Sequence, residues 1–315
     1  MKTIPTIDFS GMYSDSLADR KAVAAEVRRA CLDTGFFYLT NTDISDSERH
    51  AILKAAAFFF ALPEAEKLKV NKENSKAGRG YERMRGQRLE AGTKPDLKEG
   101  FVMGTHLPDD DYRVVAGWPQ HGPNVWPEGM DDWRFILEHY HARMIELARR
   151  VMAAIALSLE VDESYFDSAL VDSIATIRLL HYPPQSPTAG PDERGAGAHS
   201  DWGAITILLQ DGVGGLQVRG GDDTWIEAPP LDGAFIVNLG DLIPRWTNGL
   251  YRSTIHRVIN RSGRQRYSVP FFFDGRGDYV SEPIPSCLKE GEAPKFAPLS
   301  VNEHLAEMFR STELH

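Results

Sequence analysis

The sequence has little cysteine and no long apolar run. Its 315 residues include two cysteines, Cys31 and Cys287, which are too few and too far apart for a disulfide framework or a thiolate metal cluster. No stretch of about 18 apolar residues predicts a membrane span, and the opening MKTIPTIDFS lacks the apolar segment of a signal peptide. Because unpaired cysteines suit a reducing compartment, we expect a cytoplasmic protein with no membrane partner.

Excess positive charge is also absent. The chain carries 35 Lys and Arg against 45 Asp and Glu, a formal net charge of −10, and no block of basic residues. Nucleic-acid phosphates and anionic membranes bind basic surfaces, so we expect neither as a partner. With 42% hydrophobic and 25% charged residues the composition is that of an ordinary globular protein, and a small molecule is the expected partner.

The first half of the chain predicts helices around a few short strands. A helical apolar spacing runs over 19–33, a buried strand is expected at 36–39, and Ser45 with Glu48 forms the capping-box pattern of a second helix. Residues 71–130 are rich in glycine, proline and charge, which predicts loops and short helices. From residue 132 to about 160, apolar residues at helical spacing predict one long helix that braces a sheet.

The second half changes to short β-branched and aromatic runs separated by Pro, Gly, Asp and Asn. These runs are 174–182, 204–209, 215–218, 225–227, 233–238, 253–259 and 266–273. Their spacing is typical of an antiparallel sandwich or barrel, and 300–311 predicts a closing helix. The expected fold class is therefore α+β with a mainly β core and flanking helices.

Two histidines and an aspartate combine into a candidate metal site. On an extended segment His199 and Asp201 point to the same face, and alternation places His256 on the buried face of its own strand. Two imidazoles and one carboxylate are the ligand set of non-haem Fe(II) oxygenases. A zinc hydrolase site with the same ligands stays open from these residues alone.

A possible anion site follows ten residues after His256. We expect 253–259 and 266–273 to form a hairpin, with Arg266 beside Val258 or Ile259 and about 7–10 Å along the sheet from the metal ligand. By parity Arg266 and Ser268 share a face. A short dicarboxylate that chelates the metal could place its far carboxylate on this guanidinium and hydroxyl.

With these motifs in place, the sequence resembles the iron(II)- and 2-oxoglutarate-dependent dioxygenases of the isopenicillin N synthase-like branch nearly end to end. The motifs that carry the resemblance are IPTIDF at 4–9, GFFY at 35–38, DLKEGF at 96–101, RLLHYPP at 178–184, HSD at 199–201, GGLQV at 214–218, VNLGD at 237–241, WTNG at 246–249, HRV at 256–258 and RYS at 266–268.

The resemblance implies a double-stranded β-helix, or jelly roll. It implies that His199, Asp201 and His256 bind Fe(II), that Arg266 and Ser268 hold the far carboxylate of 2-oxoglutarate, and that Tyr182 hydrogen-bonds a carboxylate in the pocket. Leu180 and His181 depart from the residues that many plant members carry there. With Fe(II), 2-oxoglutarate and O₂, such an enzyme hydroxylates or desaturates a small molecule and releases succinate and CO₂.

The resemblance also divides the chain. We expect an N-terminal non-haem dioxygenase region at 1–130, a bracing helix and connection at 131–170, the jelly-roll core at 171–276 and a C-terminal extension with the closing helix at 277–315. Together these segments are expected to form one structural unit.

Two alternatives of function remain, and the substrate is open. An isopenicillin N synthase-like oxidase would use the Arg-x-Ser pair for its substrate's carboxylate instead of 2-oxoglutarate, and an idle small-molecule binder would have kept the fold without turnover. Trp202, Trp246 and Phe273 are candidate cavity walls. The four arginines of 79–88 either meet an acidic substrate or form a solvated face paired with Glu82, Glu90 and Asp96.

Overall fold

The structure is a computed structural model that describes residues 3–186, 188–190 and 192–312. The ends of the predicted N-terminal region and C-terminal extension, residues 1–2 and 313–315, lie outside the described residues. The helices are α1 Leu17–Asp33, α2 Asp46–Phe60, α3 Glu64–Leu68, α4 Tyr112–Val115, α5 Asp131–Ser158, α6 Asp167–Leu170, α7 Leu242–Trp246 and α8 Val301–Thr312, with 3₁₀ turns at Ser10–Tyr13, Lys72–Asn74 and Pro285–Cys287.

The strands are concentrated in the second half, as the sequence predicts. They are β1 Thr6–Asp8, β2 Phe36–Thr40, β3 Gly80–Glu82, β4 Glu99–Gly104, β5 Ile174–Tyr182, β6 Ala196–His199, β7 Ile205–Gln210, β8 Leu216–Arg219, β9 Trp225–Glu227, β10 Phe235–Leu239, β11 His256–Val258, β12 Arg266–Gly275, β13 Val280–Ser281 and β14 Leu299–Ser300. Each of the seven predicted runs overlaps one strand.

Two sheets form the core of the molecule. The described residues build an eight-stranded sheet in the order β1-β2-β10-β7-β12-β5-β4-β3 and a four-stranded sheet in the order β6-β11-β8-β9. Apart from the parallel β1–β2 pair, the neighbours in both sheets are antiparallel. This α+β arrangement is the predicted double-stranded β-helix with flanking helices.

The central strand β12 separates the helical layer from the space between the sheets. Val269, Phe271 and Phe273 point to one face of β12, called the outer face below, and belong to the main hydrophobic core. There the His141 ring of α5 lies 5.9 Å from the Phe271 ring, and the His141 Nε2 atom lies 3.0 Å from the Ala175 carbonyl oxygen. The long helix therefore braces the large sheet. The opposite face of β12, called the inner face below, is left for a site.

Local sequence signals account for the flanking helices. The capping box at the start of α2 forms as predicted, because Ser45 accepts from the Glu48 backbone N–H and the Glu48 side chain accepts from the Ser45 N–H. The Trp133 indole of α5 donates to the Ala55 carbonyl oxygen at 2.9 Å and ties α5 to α2. In the described part of the chain, no helix combines the length and the apolar character needed to cross a membrane.

The predicted hairpin between 253–259 and 266–273 is wrong. β11 pairs with β6 and β8 in the small sheet, whereas β12 pairs with β5 and β7 in the large one. The intervening turn carries the chain from one sheet to the other, and the Asn260 side chain holds it by donating to the carbonyl oxygens of Tyr182, Pro183 and Arg264. Since nearly every residue of β12 is buried, the strand is stable between two paired strands rather than in an isolated ribbon.

The prediction of only loops and short helices over 71–130 is also incomplete. β3 and β4 lie there and extend the large sheet, with β4 paired to β5. Every residue of β4 is buried. The surrounding glycine, proline and charged residues hide this strand from a composition-based prediction, because its stability comes from pairing with β5, which is about 75 residues away in sequence.

Replacing Phe271 by Ala tests the importance of the outer face of β12. Phe271 is fully buried, so we expect the free energy of unfolding to fall by about 3–5 kcal/mol in urea denaturation, through lost burial and a residual cavity. Phe135→Ala is the matched control, because Phe135 on α5 is 68% exposed, and it should change stability by less than about 0.5 kcal/mol. Equal effects of the two substitutions would contradict this account of the core.

Candidate active site

Three predicted metal ligands meet at one end of the small sheet. His199 ends β6, His256 begins β11, and the two residues pair directly across the strands. Asp201 follows two residues after His199. The Nε2 atoms of the two imidazoles each lie 3.8 Å from the Asp201 Oδ1 atom, and one donor atom from each residue lies within 4.8 Å of the others. One metal ion could contact all three side chains.

Hydrogen bonds to the backbone orient the two imidazoles. The His199 Nδ1 atom lies 2.7 Å from the Gly197 carbonyl oxygen, and the His256 Nδ1 atom lies 3.2 Å from the Thr254 carbonyl oxygen. A proton on each Nδ1 leaves the Nε2 lone pair facing Asp201. Burial lowers the pKa of His199, and the neighbouring His256 lowers it further, so the neutral form that binds metals is favoured.

The two oxygens of the Asp201 carboxylate make different contacts. Its Oδ2 atom accepts from the Thr206 hydroxyl at 2.5 Å and from the Asn238 amide at 2.7 Å. Although burial opposes ionisation, the neighbouring His256 and His199 and these hydrogen bonds hold the pKa of Asp201 below its usual value. The Oδ1 atom is left facing the imidazoles. A carboxylate and two imidazoles in this arrangement fit Fe(II) in the facial geometry of non-haem oxygenases.

Arg266 lies in the same cavity as these ligands. The cavity, of about 70 Å³, is lined by His199, Asp201 and His256 together with Arg266, Ser268 and Tyr182. The Arg266 guanidinium is fully buried, donates to Ser268 Oγ at 3.2 Å and to Gln210 Oε1 at 2.9 Å, and lies 4.8 Å from the centre of the Tyr182 ring.

No carboxylate of the described residues forms an ion pair with Arg266, and its Nε atom has no hydrogen-bond partner among them. A buried cation without an anionic partner is costly. A guanidinium without an anionic partner therefore fits a ligand carboxylate, and the far end of 2-oxoglutarate supplies one. Arg266 and Ser268 share a face as predicted, although Arg266 lies opposite Tyr182 on β5 and not beside Val258 or Ile259.

A second cavity of about 210 Å³ adjoins the first and also reaches His199 and Asp201. Trp202 lines it as predicted, and its ring contacts that of Phe309 from α8 at 5.0 Å. The other two predicted walls are wrong. Trp246 packs against Phe166 with ring centres 5.2 Å apart, and Phe273 lies in the main core on the outer face of β12.

The wall residue on β12 is instead Phe272, which lines both cavities. Strand parity explains the difference, because Phe273 and Phe272 point to opposite faces of the sheet. The parity that places Arg266 and Ser268 in the site also points to Phe272, so the prediction of Phe273 did not follow the alternation used for those two residues.

The arginine-rich loop reaches the larger cavity through Gln87, but among the described residues none of its four arginines lines either cavity. Arg79 is buried and donates to the Thr176 hydroxyl and the Gln120 carbonyl oxygen, and Arg85 pairs with Glu193 at 3.1 Å. The predicted pairing with Glu82, Glu90 and Asp96 is also wrong. Their ion-pair partners are, respectively, Lys72 and Arg178, Arg194, and Lys98.

Sequence reasoning from the site residues missed the partners that fix them. Thr206 and Asn238 lie opposite each other on β7 and β10, and Gln210 lies opposite Ser268. Asn238 belongs to the VNLGD motif at 237–241, which contributed to the family resemblance but for which the sequence alone indicates no function. These positions become neighbours of the site only through strand pairing, so spacing along the chain could not reveal them.

Family models match most of the chain. Residues 4–129 match the N-terminal region of non-haem dioxygenase in morphine synthesis, and residues 173–275 match the 2OG-Fe(II) oxygenase superfamily. A 2-oxoglutarate-Fe(II) type oxidoreductase of Emericella nidulans is 43% identical over 98% of this chain and 90% of its own length. The chain belongs to the 2OG-Fe(II) oxygenase superfamily.

A second relative and a solved structure are also similar to this chain over nearly its whole length. A 2-oxoglutarate-Fe(II) type oxidoreductase of Aspergillus fumigatus is 40% identical over 98% of this chain and 93% of that relative. Among solved structures, a full-length Neurospora crassa protein in complex with alpha-KG and thymine superposes with a TM-score of 0.86 at 29% identity, and the match covers 98% of this chain and 96% of the other.

The predicted family and activity class are thereby confirmed. This member of the 2OG-Fe(II) oxygenase superfamily is an Fe(II)- and 2-oxoglutarate-dependent dioxygenase that uses Fe(II), 2-oxoglutarate and O₂. Among the alternatives, the cosubstrate-dependent activity is the one that these relatives carry in their names.

Asn238→Ala tests the orientation of the Asp201 carboxylate. Losing one of the two hydrogen bonds on Oδ2 frees the carboxylate to rotate, so we expect Mn(II) to bind about 10-fold more weakly in an equilibrium titration. Asn74→Ala is the control, because Asn74 is exposed on a 3₁₀ turn. Unchanged Mn(II) affinity in Asn238→Ala would show that this hydrogen bond does not support the metal site.

Proposed function

We propose that His199, Asp201 and His256 bind Fe(II) and that Arg266 and Ser268 hold the far carboxylate of 2-oxoglutarate. In this site a C–H bond of a small molecule is hydroxylated or desaturated. The observation that carries the proposal is the buried, unpaired Arg266 guanidinium in the same cavity as the three metal-ligand side chains. A cation at that place has a physical reason when a dicarboxylate links it to the metal.

The residues of the chain bind and orient the reactants. Bound Fe(II), with 2-oxoglutarate and O₂, supplies the oxidation of the C–H bond and the release of succinate and CO₂. Arg266 and Ser268 fix the far end of the cosubstrate, and the Tyr182 ring packs at the guanidinium. We also assign to Tyr182 a hydrogen bond to a carboxylate in this cavity. Phe272 separates the cosubstrate side from the larger cavity, which it also lines.

The larger cavity is the proposed substrate site. Its volume of about 210 Å³ lies below the usual range of small-molecule pockets, which is about 300–1,000 Å³, and this suits a small ring better than a larger molecule. The Neurospora crassa protein that was solved with thymine is similar to this chain over nearly its whole length. These two observations support a ring-sized organic substrate.

The alternatives have less support. An oxidase without 2-oxoglutarate would place a substrate carboxylate on Arg266, but the relatives reported above are named for 2-oxoglutarate. An idle binder would not need all three metal-ligand side chains as well as a buried arginine, and here all of them line one cavity.

The segment boundaries and the compartment also stand as proposals. The matches at 4–129 and 173–275 support a division into 1–130, 131–170, 171–276 and 277–315. Both cysteines, Cys31 and Cys287, are free thiols among the described residues, which supports a reducing compartment such as the cytoplasm.

Anaerobic reconstitution tests the proposed function. Addition of 2-oxoglutarate to the Fe(II)-loaded protein should produce a weak visible charge-transfer band, and admission of O₂ should then yield succinate slowly without a substrate. Asp201→Ala should lose both signals because two imidazoles remain without the anionic ligand. Iron binding without the band would favour the oxidase, and a loaded protein that shows a band but never forms succinate would favour the idle binder.

Arg266→Ala tests the cosubstrate site separately. We expect 2-oxoglutarate binding to weaken by about 2–5 kcal/mol, because its far carboxylate would lose a buried charged partner. Arg264→Ala is the matched control on the same turn, where the side chain is exposed. Equal affinities for 2-oxoglutarate in wild type and Arg266→Ala, measured by anaerobic titration, would refute the assignment of Arg266.

A further inference from the structure

The larger cavity contains a carboxylate that the proposed function does not use. Asp274 is 4% exposed and lines this cavity with His199 and Asp201. It lies on the inner face of β12, eight residues beyond Arg266, which corresponds to about 26 Å of strand. The cosubstrate arginine and this aspartate therefore lie at opposite ends of one strand face, with the metal-ligand side chains between them.

Asp274 has no partner of its own. Among the described residues it accepts no hydrogen bond and forms no ion pair, and its burial raises the pKa of the carboxyl to about 7, with the charge of Asp201 acting in the same direction. Arg79 acts on it only through its charge, since the Arg79 guanidinium donates to Thr176 and Gln120. Buried carboxylates are normally hydrogen-bonded, so a missing partner needs an explanation.

The Asp274 carboxylate lies directly against Gly203, in the segment that follows Asp201. A Cβ atom at Gly203 would lie 1.6 Å from the Asp274 Oδ1 atom, so only glycine fits there while Asp274 keeps its place. Gly203 comes two residues after Asp201 and lines the same cavity. A group bound to Asp274 is therefore held close to the metal-ligand side chains, where a substrate has to be.

The neighbouring wall adds a hydrogen-bond donor. The Thr176 hydroxyl accepts from Arg79 and donates to the Gln120 Oε1 atom, both at 3.2 Å, so both of its roles are occupied. The amide nitrogen of Gln120 makes no hydrogen bond to the described residues, and Gln120 lines the cavity. This wall thus presents an acceptor in Asp274 and a donor in Gln120, while the aromatic rings of Trp202, Phe272 and Phe309 supply flat apolar surface.

We propose that the substrate is a flat nitrogen heterocycle with an N–H group next to a ring carbonyl. Asp274 accepts from the N–H, Gln120 donates to the carbonyl, and the ring packs among the aromatic side chains. A carboxylate acceptor that is largely buried strengthens such a hydrogen bond. The inference rests on the proposed function, since it places this ring beside the proposed iron site.

Paired ligands test the inference. The protein loaded with Mn(II) and 2-oxoglutarate is titrated in a calorimeter, without O₂, with 2-pyridone and thymine and with their N-methylated counterparts, 1-methyl-2-pyridone and 1,3-dimethylthymine. We expect at least one N–H compound to bind wild type at least 10-fold more tightly than its methylated partner. Equal binding within both pairs, tighter binding of the methylated members, or no binding of either N–H compound overturns the inference.

Two substitutions assign the preference to a residue. Asp274→Asn should reduce the preference for the N–H compound at least 10-fold. Gln120→Leu should weaken binding of the same compound, because the ring carbonyl loses its hydrogen-bond donor. Asp278→Asn removes an equal charge from an exposed side chain paired with Arg276, and it should behave as wild type. A full preference in both Asp274→Asn and Gln120→Leu would remove these residues from substrate recognition.

Failure of the inference can be separated from failure of the proposed function. Succinate formed by the wild-type protein with Fe(II), 2-oxoglutarate and O₂ supports the proposed function without any substrate. If succinate forms but the paired ligands bind equally, only the substrate inference is wrong. If no succinate forms, the proposed function itself fails.

Discussion

The site depends on one buried carboxylate that connects the two sheets. Asp201 follows β6 of the small sheet, yet its Oδ2 atom is held by Thr206 and Asn238 of the large sheet, and its Oδ1 atom faces His199 and His256. In a low-dielectric interior these contacts are strong, and an unpaired charge there would be costly. The relative position of the sheets and the geometry of the metal-ligand side chains are thereby fixed by the same group.

The alternation of β12 organises the rest of the cavity. Its outer face carries Val269, Phe271 and Phe273 into the core beneath the long helix, while its inner face carries the polar groups at the two ends and Phe272 between them. One strand can carry two such different sets because successive side chains point to opposite faces. The hydrophobic face anchors the strand, and the polar face is left to bind charged and hydrogen-bonding ligands.

Prediction from the sequence was most successful where the signal is local. The capping box of α2, the long helix near 131–158 and the positions of the strands follow from spacing and composition, and the structure shows them. It failed where pairing is non-local. The hairpin before Arg266 and the missing strand β4 are errors of this kind, because strand partners distant in sequence leave no mark in local composition.

The sequence by itself determined the family, the cosubstrate class and the residue types that could bind a metal and a carboxylate, because those motifs keep their chemistry and spacing in the linear chain. Only the tertiary structure decided that His199 and His256 face Asp201 across paired strands. It also decided that Asp274 opens into the larger cavity without a partner among the described residues. The physical reason is that contact across a sheet depends on strand order and register, which are set by packing of the whole core.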